Sequence, residues 1–282
     1  MNGNGLSETL ILFTIVLVAV VGISVYYWWT AIWNRFTSTN YETCTDEQLK
    51  HVLLEPNYLY QLLNLLRISH EILMTAGVRY VACGGTLLSI ARTGFLTPWD
   101  DDGDLSVFKE DYLAKKPHID KLLKQHKVCL DDKLGLVDVF RIMYCDDNPI
   151  LEQYECVDAS ELFVDWILCE KMQRTQDDNI NNESVIQSSS RWNRHLFPRD
   201  YLYESEVFPI QIKPLSALPN GETINLCVPN NLEANLDRAY GKPDNPKFWR
   251  DCYLASSHRN VTLELHPCQL CKEQVKMLFG KV

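Results

Sequence analysis

Basic residues are in deficit. Lysine and arginine number 27 against 37 aspartates and glutamates, a formal net charge of −10. So acidic a chain does not track a phosphate backbone, which excludes broad nucleic-acid binding. A small molecule carrying a pyrophosphate needs local Lys or Arg and a divalent cation to bind. Charge of either sign is missing from Thr9 to Trp33. Leu10 to Val21 is almost wholly aliphatic, and Tyr26, Tyr27, Trp28, Trp29 and Trp33 gather at the far end. That pattern predicts a membrane-spanning helix with an aromatic belt. No Lys or Arg precedes the run, and it is longer than an ordinary signal h-region, so a cleaved signal peptide fits less well. A buried soluble helix is the remaining reading.

Internal repeats are absent, and so is a second interdomain linker. The chain divides into a tail at 1–8, a transmembrane helix at 9–33, a polar Thr-rich stem at 34–46 and one domain at 47–282. Its 46% hydrophobic content supports a real core. Orientation is weakly signalled. Arg35 just after the span favours a cytosolic domain by the positive-inside rule. The sequons Asn182-Glu183-Ser184 and Asn260-Val261-Thr262, with ten cysteines, favour the lumen of the ER or Golgi. Cys268-Gln269-Leu270-Cys271 has no second Cys-x-x-Cys to complete a zinc site, so disulfides involving Cys268 or Cys271 are the expectation. Cys83 and Cys169 read as core residues.

Glu47 to Ala76 is predicted mostly helical, divided at Pro56 and stopped by Gly77, with Leu59, Leu62, Leu63, Leu66 and Leu73 on one broad face. Val78 to Cys83 is a short strand entering Gly84-Gly85, and Thr86 to Arg92 a short helix, so backbone N–H groups gather at a helix N-terminus. Gly103 to Val107 is the next strand, then a helix over Glu110 to Gln125. Strands are expected at Val137 to Tyr144 and Glu161 to Cys169, and a polar loop at Gln173 to Ser190. Irregular Pro-punctuated segments follow, with one helix at Asn231 to Tyr240.

The chemistry concentrates in Trp99-Asp100-Asp101-Asp102-Gly103-Asp104. Crowded carboxylates repel unless a cation or water separates them. An EF-hand register from Asp100 fails, because Leu105 and Asp111 fall at positions six and twelve. A solvated acidic turn is the bland alternative. Against it, period two puts Asp102, Asp104 and Ser106 on one strand face and Gly103, Leu105 and Val107 on the other. Asp100 and Asp101 then read as turn or supporting residues, and Trp99 as a packing residue. Asp165, inside Leu162-Phe163-Val164-Asp165-Trp166-Ile167-Leu168, is the candidate third acid. Asp138 is its rival, and a salt bridge to Arg92 or Arg141 is the structural alternative for either. Both arginines are candidate phosphate clamps.

Gly-Gly-Thr-Leu-Leu from Gly84, then Ala91-Arg92, Gly94-Phe95 and Pro98-Trp-Asp-Asp-Asp-x-Asp104, resembles the signature of the LicD family, which includes fukutin and fukutin-related protein. Phe163-Val164-Asp165-Trp166 and Pro229-Asn230-Asn231 with Leu236, Tyr240 and Gly241 resemble its later motifs. The resemblance spans about Tyr80 to Gly241. Gly103 departs from the apolar residue often found between the two acids. The resemblance implies an α/β (α+β) class, with a nucleotidyltransferase-like mixed sheet flanked by helices. It implies transfer of phosphocholine or a phospho-alditol from a CDP-activated donor to a glycan hydroxyl. Asp102, Asp104 and Asp165 would be the catalytic metal-binding acids for Mg²⁺ or Mn²⁺. Gly84, Gly85 and Thr86 would form the phosphate-facing turn. A non-catalytic scaffold of the same fold and a nucleotidyltransferase are the competing readings. The cargo, acceptor and oligomeric state are not legible.

Overall fold

In the computed structural model Pro56 opens the first helix, at the position where its missing N–H leaves no bond unmade. The structure describes residues 53–131, 138–149, 162–173, 184–219, 221–241, 245–255 and 268–271, together with Thr14. The expected span at 9–33 otherwise lies outside these residues, as do both sequon asparagines. Among the described residues no helix is long and apolar enough to cross a membrane.

Helix α1 (Pro56–Ala76) is buried around most of its girth, more broadly than the expected leucine face: Tyr58, Leu65, Ile68 and Ile72 join it. Gly77, at φ 71, ends it in the left-handed conformation, with Gly77 and Val78 N–H groups donating to Met74 and Leu73 carbonyls. Strand β1 (Tyr80–Ala82) leads into α2 (Gly84–Arg92), then β2 (Asp102–Phe108), α3 (Lys109–Gln125), β3 (Val128–Asp131), β4 (Val139–Tyr144) and β5 (Phe163–Gln173). Next come β6 (Ser184–Ser188), α4 (Arg191–Leu196), β7 (Tyr201–Tyr203) and α5 (Glu204–Val207). The hairpin β8 (Gln211–Ser216) and β9 (Thr223–Val228) precedes α6 (Leu232–Tyr240), α7 (Phe248–Asp251), β10 (Cys252–Ala255) and β11 (Cys268–Cys271).

The main sheet runs β1-β2-β5-β4-β3, with β6 on β5 and β7 on β6. Only β2 and β5 pair in parallel; the other described pairs in this sheet are antiparallel. The mixed, helix-flanked α/β sheet expected from the resemblance is therefore present. Alternation sorts the faces. Leu105, Val107, Val164, Trp166 and Leu168 turn to the core and are buried against α1 and α3, each contributing about 1.5–3 kcal/mol by apolar burial. Asp102, Asp104 and Asp165 turn the other way.

Two expectations need correction. Gln173 to Ser190 is not wholly loop. β5 runs on to Gln173, and Ser184–Ser188 pairs with that extension, placing Ile186 opposite Lys171. Its polar composition hides Val185 and Ile186, both buried. The segment after Tyr203 is not irregular either, since β8 and β9 form a six-residue hairpin. Pro214 sits within β8 at an exposed position, as edge strands allow. Among the cysteines, Cys83 and Cys169 are core residues as expected, and one disulfide was not foreseen. Cys129 and Cys145 are disulfide-bonded, joining β3 to the residue after β4. Cys83, Cys169 and Cys227 are buried free thiols. At the C-terminus the strand register sets Cys252 opposite Cys271.

Candidate active site

The strand–turn–helix from β1 to α2 and the edge of β2 are stitched together by backbone bonds. Cys83 N–H donates to the Asp104 carbonyl at 3.2 Å. Asp104 N–H donates to Thr86 Oγ1 at 2.9 Å, and Gly85 N–H donates to Asp104 Oδ2 at 3.0 Å. The helix N-terminus therefore meets a carboxylate from the next strand. Gly84 has φ +51 and stands so close to Asp104 that an added β-carbon would overlap Oδ2; one on Gly85 would overlap Oδ2 of Asp100. Glycine is required at both positions by close approach, and at Gly84 by conformation too.

Gly103 has a comparable explanation. A β-carbon there would lie 2.9 Å from Leu66 Cδ2 and 3.2 Å from Val164 Cγ2. Helix α1 packs directly on the strand between the two acids, so a side chain at 103 would have to displace Leu66 and Val164.

Asp104 and Asp165 are register partners in the parallel pair. Asp102, Asp104 and Asp165 each offer an oxygen, all within 4.8 Å of one another. Burial first, then the charges of Asp102, Asp100 and Asp165, pushes the Asp104 carboxyl well above its ordinary value, against the Gly85 N–H. Burial also lifts Asp165, to about 7, with Arg141 opposing and Asp102 adding to the rise. Asp165 Oδ1 is buried without a hydrogen bond; Arg141 Nε lies 3.4 Å away in an ion pair. Three hard oxygen donors, one of them buried without a hydrogen bond, fit a divalent cation of the Mg²⁺ or Mn²⁺ kind.

The rival acid is otherwise engaged. Asp138 Oδ2 accepts from Lys109 Nζ at 2.9 Å and from Ser189 Oγ at 2.6 Å. These bonds outweigh its burial and leave its carboxyl below the usual range. It ties β4 to the α3 and β6 ends and does not line the cavity described next.

A cavity of about 480 Å³ opens over the acids. Gly84, Gly85, Asp100, Asp102, Asp104 and Asp165 form one wall, and Arg92 and Trp249 stand beside it. Arg92 Nε donates to the Trp249 carbonyl at 2.6 Å. Trp99 is buried, as its packing reading requires, yet contributes to the lining. Two expected residues do not line the cavity. Thr86 is buried with its hydroxyl accepting from Asp104, so it serves the turn's shape. Arg141 stacks 3.9 Å above the Phe163 ring, at the flank of Asp165. The rest of the lining was not anticipated: Asn193 and Phe197 at α4, Asp200 before β7, and Tyr240 at the end of α6, whose phenol feels the charges of Asp200, Asp104 and Asp100. No local motif marks those positions as one surface; only Tyr240 fell within a noted pattern.

A glycine turn at a helix N-terminus, facing acids on neighbouring strands of a mixed sheet, defines a nucleotidyltransferase-type domain. More narrowly, the chain belongs to the LicD family: the family model described as LicD/FKTN/FKRP, nucleotidyltransferase domain, matches residues 77–231, more than half of the chain. An uncharacterized protein of Rickettsia prowazekii is 32% identical over 204 residues, covering 72% of this chain and 63% of that protein. Another, of Rickettsia typhi, is 28% identical over 233 residues, 80% of this chain and 62% of its own. The human ribitol 5-phosphate transferase FKRP is 36% identical over 86 residues, 28% of this chain and 17% of that protein. The chain thus spans a little over three-fifths of the rickettsial relatives and about a sixth of FKRP. Membership in this family points to a function of phosphotransferase type.

Proposed function

We propose that the protein is a divalent-metal-dependent phosphotransferase that moves a phospho-alditol or phosphocholine group from a CDP-activated donor to a glycan hydroxyl. One observation carries the reading: the carboxylate oxygens of Asp102, Asp104 and Asp165 converge within 4.8 Å beside the Gly84–Gly85 turn. Mg²⁺ or Mn²⁺ held by these three acids would neutralise charge on the transferring phosphate and the leaving nucleotide. Gly84 and Gly85 let Asp104 and Asp100 close on the α2 N-terminus, and Arg92 supplies a guanidinium for a phosphate in the same cavity. Arg141, against Asp165, holds that carboxylate in place.

The reading includes a single-pass anchor at 9–33 and a lumenal domain in the ER or Golgi. The Cys129–Cys145 disulfide supports the lumenal side, since such bonds persist in oxidising compartments. Protease protection of the full chain in microsomes tests the orientation.

The transfer test incubates the full chain in detergent with CDP-ribitol, CDP-glycerol or CDP-choline and a panel of glycan acceptors, with Mn²⁺ or EDTA. The expected result is CMP release and phosphate-linked product with Mn²⁺ alone, at least 100-fold lower in Asp102→Asn. Glycan binding without turnover of any conjugate favours the scaffold. Incorporation of the nucleotide into the acceptor favours a nucleotidyltransferase.

A further inference from the structure

The rest of the cavity lining has its own chemistry. Phe197 and Tyr240 line the cavity yet remain 53% and 39% exposed, while the Tyr240 phenol reaches inward to the charges of Asp200, Asp104 and Asp100. Trp192, on the same short helix as Asn193, is 64% exposed and meets the His195 ring edge-on. Large aromatic faces left in water at a cavity are costly unless a ligand covers them. Between them, Asp200 and Asn193 face inward.

Asp200 is held from behind. Asn235 hydrogen-bonds its carboxyl and in turn donates Nδ2–H to the Tyr201 carbonyl at 3.0 Å. The nearby Arg238 is committed elsewhere, in a two-pronged pair with Glu206 at 3.0 and 2.7 Å and to the Tyr201 carbonyl at 2.6 Å. Asp200 is thus a rigid carboxyl set among aromatic faces, with a neutral amide as its hydrogen-bonding neighbour. Burial raises its pKa against Asn235 and Arg238.

We propose that Phe197, Asp200 and Tyr240, with Asn193, form a sugar-binding subsite for the acceptor. This rests on the transferase reading and deepens it: the acceptor is assigned to the aromatic part of the cavity that adjoins the triad. A sugar ring offers apolar C–H faces for Phe197 and Tyr240 and hydroxyls for Asp200 and Asn193. A hydroxyl can donate or accept, so it suits the Asp200 carboxyl in either protonation state. An anionic group is repelled from a cavity with five aspartates. A compact quaternary ammonium would seek the aromatic faces and Asp200 as well. Trp192, on the same helix as Asn193, adds a third exposed aromatic face, more apolar surface than a small cation needs and suited to a saccharide.

The experiment is saturation-transfer-difference NMR on the full chain in detergent, without donor or metal. The probes are galactose, N-acetylglucosamine, maltotriose and choline chloride. Phe197→Ala, Asp200→Asn and Tyr240→Phe are compared with Leu113→Ala, an exposed residue on α3 outside the cavity. Thermal melts and Mn²⁺ titration monitor fold and triad. The expected result is ring-proton signals from at least one saccharide, with affinity at least fivefold weaker in Phe197→Ala and Asp200→Asn, while melts and Mn²⁺ affinity stay unchanged. Absence of any saccharide signal overturns the subsite, as do signals indifferent to both substitutions or variant-sensitive signals from choline alone. Because the readout needs no turnover, saccharide binding without CMP release sinks the transferase reading and leaves the subsite standing. CMP release without saccharide binding does the reverse.

Discussion

Asp104 and Asp165 are register partners across the parallel β2–β5 pair; Gly85 N–H donates to the first, and Arg141 Nε stands 3.4 Å from the second in an ion pair. The pairing fixes their spacing through backbone bonds, so the charge they concentrate cannot be relaxed by rotating one strand. The fold holds the acids together, with Arg141 offsetting part of their repulsion; in the proposed reaction a divalent cation would relieve the rest.

That repulsion has a pH signature. Asp165 has its folded pKa raised from 3.8 to about 7, so the folded state binds the proton more tightly than the unfolded chain does. Its contribution to stability is full below about pH 4 and is lost as pH rises toward 7. In EDTA, Asp165→Asn is expected to gain about 1–3 kcal/mol over the parent protein as pH rises through that window. Saturating Mn²⁺ removes the gain by favouring the charged form. Thermal melts of both proteins from pH 4 to 8, with and without the metal, measure it. A constant difference across pH refutes the coupling.

Metal should also stabilise directly. At 100 times its dissociation constant a ligand specific for the folded state adds about 2.7 kcal/mol, which in a domain of this size raises Tm by roughly 5–10 °C. Asp102→Asn should lose most of this rise, as differential scanning calorimetry would show.

Gly84→Ala forces a β-carbon onto Asp104 Oδ2 at a backbone φ of +51. The expected loss is about 1–3 kcal/mol in denaturant melts, together with a large fall in Mn²⁺ affinity as Asp104 is displaced. An unaltered metal affinity would show that the turn does not position this acid.

Gly103→Ala probes the opposite face. The added methyl meets Leu66 and Val164, and overpacking is expected to cost about 1–3 kcal/mol. Leu66→Ala should relieve part of it, so the two substitutions show a coupling of at least about 0.5 kcal/mol in a double-mutant cycle. Strict additivity would mean that the contact is absent in solution.

The Cys129–Cys145 bond spans 16 residues. Cys129→Ser should lower stability by about 3 kcal/mol under oxidising conditions. Dithiothreitol should lower the parent protein by about 3 kcal/mol more than it lowers the variant.

Local pattern alone determined a good deal of this protein. Period two separated Asp102 and Asp104 from the core-facing Leu105 and Val107, and Gly77 and Gly241 marked helix ends, because those features depend on neighbours a few positions away. The Gly84–Gly85 turn was legible for the same reason. Tertiary structure decided what depends on distant partners. It brought Asp165 and not Asp138 beside Asp104, since the first is in register with Asp104 while the second is held by Lys109 and Ser189. It turned Thr86 from phosphate contact to internal brace, and it placed glycine at 103 because α1 packs there. It also gathered Phe197, Asp200 and Tyr240 into the lining of the same cavity as the acids. Long-range pairing and close packing set these choices, and neither leaves a periodic mark on the chain.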